Sequence, residues 1–317
     1  MRFFVTGGSG FLGSNLVGNI LRRGLGSVTV FDNFLTGRRE YLQSWAASPE
    51  LSIIEGDVSD FAAVKQAIHG HDVVFHLAAN SDIARAVQDP LIDFDNGTRL
   101  TQTLLEAMRM TGVKRVVFSS GSGVYGDVPP QPIPEDFAPM IPVSTYGASK
   151  LASEALISAY CHMFDFIGTV FRFANVVGPH MTHGVTHDFM RRLHADRSRL
   201  HIMGDGNQSK PYIHVDDVAA ALLLVVARQA GGYEYYNVGS EDHLLVRDIA
   251  DIVVAEMGLK GVRYEFSGGA RGWRADVPVY RLDTTKIRGI GWSNEKNSRE
   301  AVVASARSLL AEIAAGL

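Results

Sequence analysis

Two side chains of this sequence, Tyr146 and Lys150, have the types and the spacing needed to move a proton. They lie near the start of a predicted helix, where residues four apart share one face and stand one turn from each other. A phenol with a pKa of about 10 is a poor base at neutral pH, but a neighbouring ammonium group favours the phenolate and lowers that pKa. The pair therefore predicts a base that accepts a hydroxyl proton while hydride leaves the same carbon. A surface i,i+4 contact is the alternative interpretation of the spacing.

A glycine-rich turn, TGGSGFLG at residues 6–13, joins the first predicted strand to the first predicted helix. The N-terminus of a helix carries unsatisfied N–H groups and a partial positive charge, and both favour an anion such as a pyrophosphate. Glycine lets the backbone turn sharply and approach the phosphates. Because it stands between a strand and a helix, the turn predicts a dinucleotide site. Its predicted contacts are Gly7, Gly10, Phe11, Leu12 and Gly13.

The end of the second predicted strand supplies a carboxylate, Asp32, followed by Asn33. A carboxylate there accepts hydrogen bonds from the adenosine ribose hydroxyls and repels a 2′-phosphate, so the sequence predicts NAD rather than NADP as the cofactor. After the third strand, Asp57 and Val58 lie where an adenine amine would be met. A helix N-cap is the alternative role for Asp57.

Short apolar runs alternate with amphipathic, helix-length segments through the first half of the chain. Strands that alternate with helices indicate βαβ units and a doubly wound parallel sheet, an α/β fold of the Rossmann type. The predicted strands are Arg2–Thr6, Ser27–Phe31, Leu51–Glu55, Val73–Leu77, Val116–Ser119 and Thr169–Phe173, and the predicted helices are Leu12–Arg23, Ala62–His69, Arg99–Met110 and Tyr146–Phe164.

After residue 175 this alternation stops and helical patterns dominate. We predict an NAD-binding domain at 1–174, onto which 212–238 packs back, and a smaller α-rich substrate-binding domain at 175–317 that caps the carboxyl edge of the sheet. The predicted helices here are His187–His194, Asp216–Arg228, Val246–Met257 and Ser298–Ala315, with one further strand at Tyr233–Val238.

Composition excludes several classes of protein. The 317 residues carry 30 basic and 34 acidic side chains mixed along the chain, without the basic stripe of a nucleic-acid binder. No apolar run approaches the ~20 residues of a membrane-spanning helix, and the N-terminus lacks a signal-peptide pattern. Cys161 is the only cysteine, which excludes an internal disulfide and a thiolate metal cluster. We expect a cytoplasmic protein with no nucleic-acid partner, no membrane partner and no metal.

The combination of motifs resembles the extended short-chain dehydrogenases/reductases, and more narrowly their nucleotide-sugar epimerase/dehydratase branch. The motifs are TGGSGFLG, Asp32, His76-Leu77-Ala78-Ala79, Ser119-Ser120, Val124-Tyr125-Gly126 and Tyr146 with Lys150. The resemblance implies that Leu77, Ala78, Ala79 and Ser119 border the cofactor. It also implies that Lys150 binds the nicotinamide ribose, and that the positive nicotinamide helps Lys150 to lower the pKa of Tyr146.

The same resemblance implies a set of substrate-binding residues in the second half. The asparagine of the RFANVVGP segment matches one that contacts the diphosphate side of the substrate, and the arginines of RGWRAD match a phosphate-binding stretch. The implied substrate residues are Asn175, Lys210, Tyr212, Arg271, Arg274 and Tyr280. A turn cap for Asn175 and solvated side chains for Arg271 and Arg274 are the alternatives.

Four departures from the family pattern bear on the reaction. Gly121 stands where most relatives place a serine or threonine bonded to the sugar 4-hydroxyl, and Ser120 or Ser122 is the candidate substitute. Ser122 and Gly123 replace the Asp-Glu pair of the 4,6-dehydratases. Two further changes are Lys210, where many relatives have arginine, and Gly97, where they have asparagine.

All reactions of this branch begin with transient oxidation at C4 of a UDP-sugar. The loop change and the overall sequence are most similar to UDP-N-acetylglucosamine 5,6-dehydratases of tunicamycin-type antibiotic biosynthesis, which form an exocyclic 5,6-ene. The alternative reaction is 4-epimerisation of a UDP-hexose such as UDP-glucose or UDP-GlcNAc, and a non-catalytic NAD-binding regulator is a remote third. A homodimer, paired through the helices at 99–110 and 152–164, is a family expectation.

Overall fold

The structure of the chain, a computed structural model, describes residues 1–80, 83–273 and 275–315. The strands in this part of the chain are β1 (Arg2–Thr6), β2 (Ser27–Asp32), β3 (Leu51–Glu55), β4 (Val73–His76), β5 (Arg115–Gly121), β6 (Pro132–Ile133), β7 (Ile167–Phe173), β8 (Asn175–Val177), β9 (Arg199–Ile202), β10 (Ser209–Lys210), β11 (Tyr212–His214), β12 (Tyr233–Val238), β13 (Leu244–Leu245), β14 (Arg263–Phe266) and β15 (Arg281–Leu282). The α-helices are α1 (Phe11–Arg22), α2 (Phe61–Ile68), α3 (Arg99–Thr111), α4 (Thr145–Phe164), α5 (Val185–Ala195), α6 (Val215–Arg228), α7 (Val246–Glu256), α8 (Thr285–Gly289) and α9 (Ser298–Ala314).

Seven of these strands form one sheet in the order β3-β2-β1-β4-β5-β7-β12. The central pairings are parallel, and Val5 of β1 lies opposite both Val30 of β2 and Phe75 of β4. Phe3, Phe4 and Val5 are all fully buried. Continuous apolar runs of this kind fit strands that are covered on both faces. The predicted doubly wound α/β fold is therefore confirmed.

The order in which the chain adds strands to the sheet changes direction at the boundary between β1 and β4. The strands β1, β2 and β3 run outward to one edge, and β4, placed on the other side of β1, starts the run towards the opposite edge. In open α/β sheets such a switch point leaves a crevice outside the carboxyl ends of the strands, where ligands bind. The segments that leave β1 and β4 are the glycine turn and Leu77–Ala79.

One large apolar cluster holds α2, α3 and α4 against the sheet. Its members from the strands include Phe4, Val74, Phe118 and Val170, and its members from the helices include Val64, Ile68, Leu104, Met108 and Ile157. Side chains that are completely buried contribute about 1.5–3 kcal/mol each through removal of apolar surface from water. This burial fixes α4, and with it Tyr146 and Lys150, relative to the strands.

A buried ion pair joins α4 to β7. Arg172 donates to both carboxylate oxygens of Glu154 through Nε (3.1 Å each) and also through Nη2 (2.6 Å), and each side chain is less than 5% exposed. The hydroxyl of Ser120 on β5 donates to the same carboxylate. The buried ion pair and its hydrogen bond thus connect α4, β5 and β7. Glu154 lies one helical turn after Lys150 on α4.

The contacts divide the chain into two compact units. The first comprises 1–124, 144–172 and 219–236, and the second comprises 125–143, 173–218 and 237–317. The chain passes from the first unit to the second after residue 172, close to the predicted boundary at 174. The segment 125–143, however, belongs to the second unit. Asn237 explains this placement, because its amide donates to the Ile133 and Asp283 carbonyl oxygens and accepts from the Tyr125 hydroxyl (2.7 Å).

The second unit contains more strand pairing than the α-rich prediction included. Short pairs join β9 with β14, β8 with β11, β10 with β13, and β6 with β15. Its helices α5, α7 and α9 pack on one another, and Phe189, Ile249 and Val302 on these helices are buried. Among the described residues, no helix is both long and apolar enough to cross a membrane.

The buried ion pair generates a stability prediction. We expect Arg172→Met to reduce the free energy of unfolding by about 3–5 kcal/mol, because the Glu154 carboxylate would remain buried without its partner. Urea unfolding followed by fluorescence measures the change. Arg109→Met is the matched control, because Arg109 pairs with Glu106 on the surface and its loss should cost much less. Equal losses in both variants would contradict this account.

Candidate functional site

The glycine turn of the first unit has the geometry of an anion cradle. Gly10 precedes α1 and provides no side-chain cap, which leaves N–H groups of the first helical turn for an external acceptor. A Cβ at Gly13 would lie 2.1 Å from the Gly7 carbonyl oxygen, so only glycine lets α1 begin this close to the turn. Ser9 Oγ is buried and has no hydrogen-bond partner among the described residues. The turn therefore fits the pyrophosphate of a dinucleotide.

Asp32 closes the side of this cradle. Its carboxylate is 7% exposed and accepts hydrogen bonds from the N–H groups of Ser9 and Phe34, both at 2.9 Å. Two carboxylate oxygens have about four acceptor positions, so two remain for ribose hydroxyls. Asp32 thus binds the turn to the end of β2 and keeps the acceptors that NAD requires.

Asp57 does not cap α2. The N-cap of that helix is Asp60, whose side chain accepts from the Ala63 N–H, because α2 begins only at Phe61. Asp57 instead accepts from the Ser59 N–H and from the Asn33 side chain (2.8 Å each). This contact joins two predicted cofactor residues, Asn33 and Asp57, while the neighbouring Val58 is buried. The N-cap alternative for Asp57 is therefore wrong.

The segment after β4 is attached to the turn through Thr6. The N–H of Leu77 donates to the Thr6 carbonyl oxygen, and that of Ala78 lies 3.4 Å from Thr6 Oγ1. Thr6 Oγ1 also contacts Nδ1 of His76 (2.8 Å), a buried residue whose pKa is lowered to about 3 by burial and by Lys150. His76 is neutral at physiological pH and serves as a fixed hydrogen-bonding group. Ala79 follows in the same partly exposed segment.

Tyr146 and Lys150 lie in the first two turns of α4, which Ser144 caps by accepting from the Gly147 N–H (3.1 Å). Lys150 is 5% exposed, and its Nζ donates to the carbonyl oxygen of Ser119 at 2.7 Å. The same Nζ stands 5.5 Å from the centre of the Tyr146 ring. The ammonium group is therefore fixed at the end of β5, facing the phenol.

The electrostatic balance at Tyr146 differs from the sequence argument. Burial and the negative charge of Asp93 raise the pKa of Tyr146 to about 12 in the chain alone. Burial lowers the pKa of Lys150 to about 8, against the opposing effect of the Glu154 and Asp93 carboxylates. Lys150 alone therefore does not produce a phenolate, because burial and the Asp93 charge oppose ionisation of the phenol. A further positive charge is needed, and the oxidised nicotinamide carries one.

The two candidate proton donors, Ser120 and Ser122, have different surroundings. Ser120 is 4% exposed and its hydroxyl donates to Glu154, so its proton is already used in the buried ion pair. Ser122 begins the 3₁₀ turn Ser122–Val124, which packs on α4, and it is partly exposed. A Cβ at Gly123 would lie 3.8 Å from Gly147 Cα of the first turn of α4. Ser122 is thus the better placed of the two hydroxyls.

The second unit gathers most of the implied substrate residues. Asn175 pairs with Tyr212 across β8 and β11. Lys210 forms an ion pair with Asp276 in a largely buried position, and Arg271 donates to both oxygens of Asp127 (3.2 and 2.9 Å). Burial, Tyr280 and Asp276 raise the pKa of the Tyr212 phenol, so Tyr280 and Asp276 both lie near Tyr212. Arg274 lies outside the described residues.

Sequence reasoning missed Asp93 and Thr145. Asp93 is 2% exposed and accepts hydrogen bonds from the Asn80 amide (2.8 Å) and the Thr145 hydroxyl (2.7 Å). Both donors border predicted functional residues, Ala79 and Tyr146. A lone aspartate in the sequence gives no signal for this role, since only the fold brings it to the start of α4.

A dinucleotide cradle at a parallel-sheet switch point, with a tyrosine and a buried lysine at the start of α4, defines an oxidoreduction site of the short-chain dehydrogenase/reductase type. Comparison with known proteins makes the assignment narrower. Residues 3–239 match the NAD dependent epimerase/dehydratase family, and the chain belongs to this family. Its cofactor is NAD.

The most similar proteins carry out different reactions within that family. The chain is 35% identical to a UDP-glucose 4-epimerase of Mycolicibacterium smegmatis, covering 95% of this chain and 96% of the relative. A UDP-glucose 4-epimerase structure from Thermotoga maritima, solved with UDP-glucose, is 30% identical with a TM-score of 0.87, covering 99% and 100%. A dTDP-glucose 4,6-dehydratase from Streptomyces venezuelae, solved with NAD, is 29% identical with a TM-score of 0.89, covering 99% and 98%.

The cradle geometry predicts that Gly13→Ala weakens NAD binding. Its methyl group must displace the Gly7 carbonyl, and overpacking of this kind costs about 1–3 kcal/mol, or about 10–100-fold in affinity. Isothermal titration calorimetry with NAD measures the loss. Gly231→Ala is the control, because its Cβ would meet no atom within 4 Å. Unchanged affinity in Gly13→Ala would show that the turn does not bind the cofactor.

Proposed function

We propose that the chain is a UDP-hexose 4-epimerase. The observation that carries the proposal is the arrangement of Tyr146 and Lys150 on α4, with the Lys150 ammonium group held against the Ser119 carbonyl. This arrangement suits reversible removal of a hydroxyl proton from a sugar carbon. The names of the relatives supply the substrate class, a UDP-sugar, and the position of reaction, C4.

Tyr146, Lys150 and Ser122 have different roles in the proposed inversion at C4. Tyr146 accepts the proton of the C4 hydroxyl and returns it, and Lys150 stabilises the phenolate between these two transfers. When bound, NAD would supply the hydride acceptor and donor for C4. A 4-keto sugar is the intermediate, and return of hydride to its opposite face inverts the carbon. Ser122 takes the place of the hydroxyl that relatives have at position 121 and hydrogen-bonds the sugar 4-oxygen.

The comparisons favour epimerisation over the 5,6-dehydration that the sequence suggested first. UDP-glucose 4-epimerases are prominent among the similar proteins, and none of the findings supports a tunicamycin-type dehydratase. Dehydration also needs groups to remove the C5 proton and expel the C6 hydroxyl. Ser122 and Gly123 provide no carboxylate for either step. The 5,6-dehydratase, its antibiotic pathway and the homodimer stay predictions.

The second unit supplies cations suited to a nucleoside diphosphate. Lys210 and Arg271 each hold a carboxylate in the chain alone, Asp276 and Asp127 respectively. The diphosphate of the substrate competes for these cations. Lys210 offers a point charge without the bidentate fork of an arginine, so its contact with phosphate is less directional. Asn175, Tyr212, Tyr280 and Arg274 complete the proposed substrate set.

Incubation with UDP-glucose and with UDP-GlcNAc in D₂O, followed by NMR, tests the function. An epimerase inverts C4 and leaves the C5 proton unexchanged. Deuterium at C5 or vinyl signals would instead establish the dehydratase. Tyr146→Phe should lose about 10²–10⁴-fold in kcat, because no other group accepts the C4 proton. Full turnover in that variant would refute the mechanism for either product.

The loop geometry predicts different effects for the two serines. Ser122→Ala should lower kcat by about 10²-fold through loss of the hydrogen bond to the sugar 4-oxygen, with the melting temperature nearly unchanged. Ser120→Ala should mainly lower the melting temperature, because its hydroxyl donates to the buried Glu154. Steady-state kinetics and thermal unfolding of both variants measure the difference. A larger loss of kcat in Ser120→Ala would assign the donor role to Ser120.

A further inference from the structure

Asp93 lies where three functional segments of the first unit meet. It precedes the π-helical turn Phe94–Thr98 that leads into α3. Its carboxylate accepts from the Asn80 amide, next to the cofactor segment Leu77–Ala79, and from the hydroxyl of Thr145, the first residue of α4. The side chain is 2% exposed, so both hydrogen bonds are shielded from water. Hydrogen bonds to a charged acceptor are stronger than those between neutral groups.

The backbone of Asp93 is attached to α4 as well. Ser149 Oγ, one residue before Lys150, donates to the Asp93 carbonyl oxygen (2.6 Å) and accepts from the Thr98 N–H (3.0 Å). Gly97 makes room for this hydroxyl, since a Cβ there would lie 2.2 Å from Ser149 Oγ. The segment from Asp93 to Thr98 is therefore fixed to α4 at both ends, next to Tyr146 and next to Lys150.

Asp93 is also part of the charge balance of the proton-transfer pair. Besides burial, the Asp93 carboxylate raises the pKa of Tyr146. Two carboxylates oppose the effect of burial on the pKa of Lys150: Glu154, which is also on α4, and Asp93. His76 of β4 is close enough to be influenced by Lys150 but is neutral. The Asp93 charge thus opposes ionisation of the phenol and favours the ammonium form of Lys150.

We propose that Asp93 is a positioning residue of the reaction, whose buried carboxylate ties the cofactor segment to the start of α4 and keeps a fixed negative charge facing Tyr146 and Lys150. The proposal rests on the proposed role of Tyr146 as proton acceptor. Together with burial, the Asp93 charge opposes ionisation of Tyr146 in the chain alone.

Titration of Tyr146 in the protein without substrate tests the electrostatic part. With tyrosine labelled at the ζ carbon with ¹³C, the signal missing in Tyr146→Phe identifies Tyr146, and its shift reports ionisation. We expect Asp93→Asn to move this ionisation about one pH unit lower, since one facing negative charge is removed. Asp95→Asn is the matched control, because Asp95 lies in the same segment but pairs with Arg99 at the surface. An unmoved or higher ionisation in Asp93→Asn would overturn the proposal.

Thr145→Val tests the positioning part and remains informative if Asp93→Asn does not fold. It removes one hydrogen bond and keeps the carboxylate, so the Tyr146 ionisation should stay within a few tenths of a pH unit while kcat falls about tenfold, with KM changed less than about twofold. Wild-type kcat in Thr145→Val would overturn the positioning role. The NMR titration needs no turnover, so its outcome is separate from failure of the 4-epimerase proposal.

Discussion

The parallel pairing of β1 with both β2 and β4 is the constraint on which the rest of the site depends. Because β4 is the third strand after β1 in the chain yet lies beside it in the sheet, the segments that follow these two strands lie side by side. The glycine turn, Asp32 and Leu77–Ala79 are thereby brought together without any contact encoded locally. Burial of α2, α3 and α4 on the sheet then places the Tyr146–Lys150 pair at the carboxyl end of β5.

The regular elements were predictable because their apolar patterns are long. The strands Arg2–Thr6 and Tyr233–Val238 have the predicted bounds, and the helices differ from prediction by one or two residues at their ends. The strand pairs of the second unit were not predictable, since two to four residues carry no readable periodicity. Their pairing depends on tertiary contacts such as those of Asn237. The N-cap residue of α2 was not predictable, because Asp57 and Asp60 have equal capping propensity.

The candidate site was predictable where a motif carries it and was not where charges act through space. Tyr146 and Lys150 followed from spacing, and the cradle followed from glycines between a strand and a helix. The direction of the Tyr146 pKa shift did not, because the phenol is buried and meets the Asp93 charge only in the folded chain. The hydrogen bond from Ser120 to Glu154 was not predictable either, because the two residues meet only in the folded chain. Spacing thus reveals residues that cooperate along one element, whereas electrostatic context requires the fold.

The contact between Gly97 and Ser149 constrains how this sequence can change over evolutionary time. A side chain at position 97 would meet the Ser149 hydroxyl, because a Cβ there would lie 2.2 Å from Ser149 Oγ. The hydroxyl would have to rotate away, and its hydrogen bonds to Asp93 and Thr98 would break. Substitutions at positions 97 and 149 should therefore not have additive effects on stability. A larger residue at position 97 leaves helix α4 less firmly held.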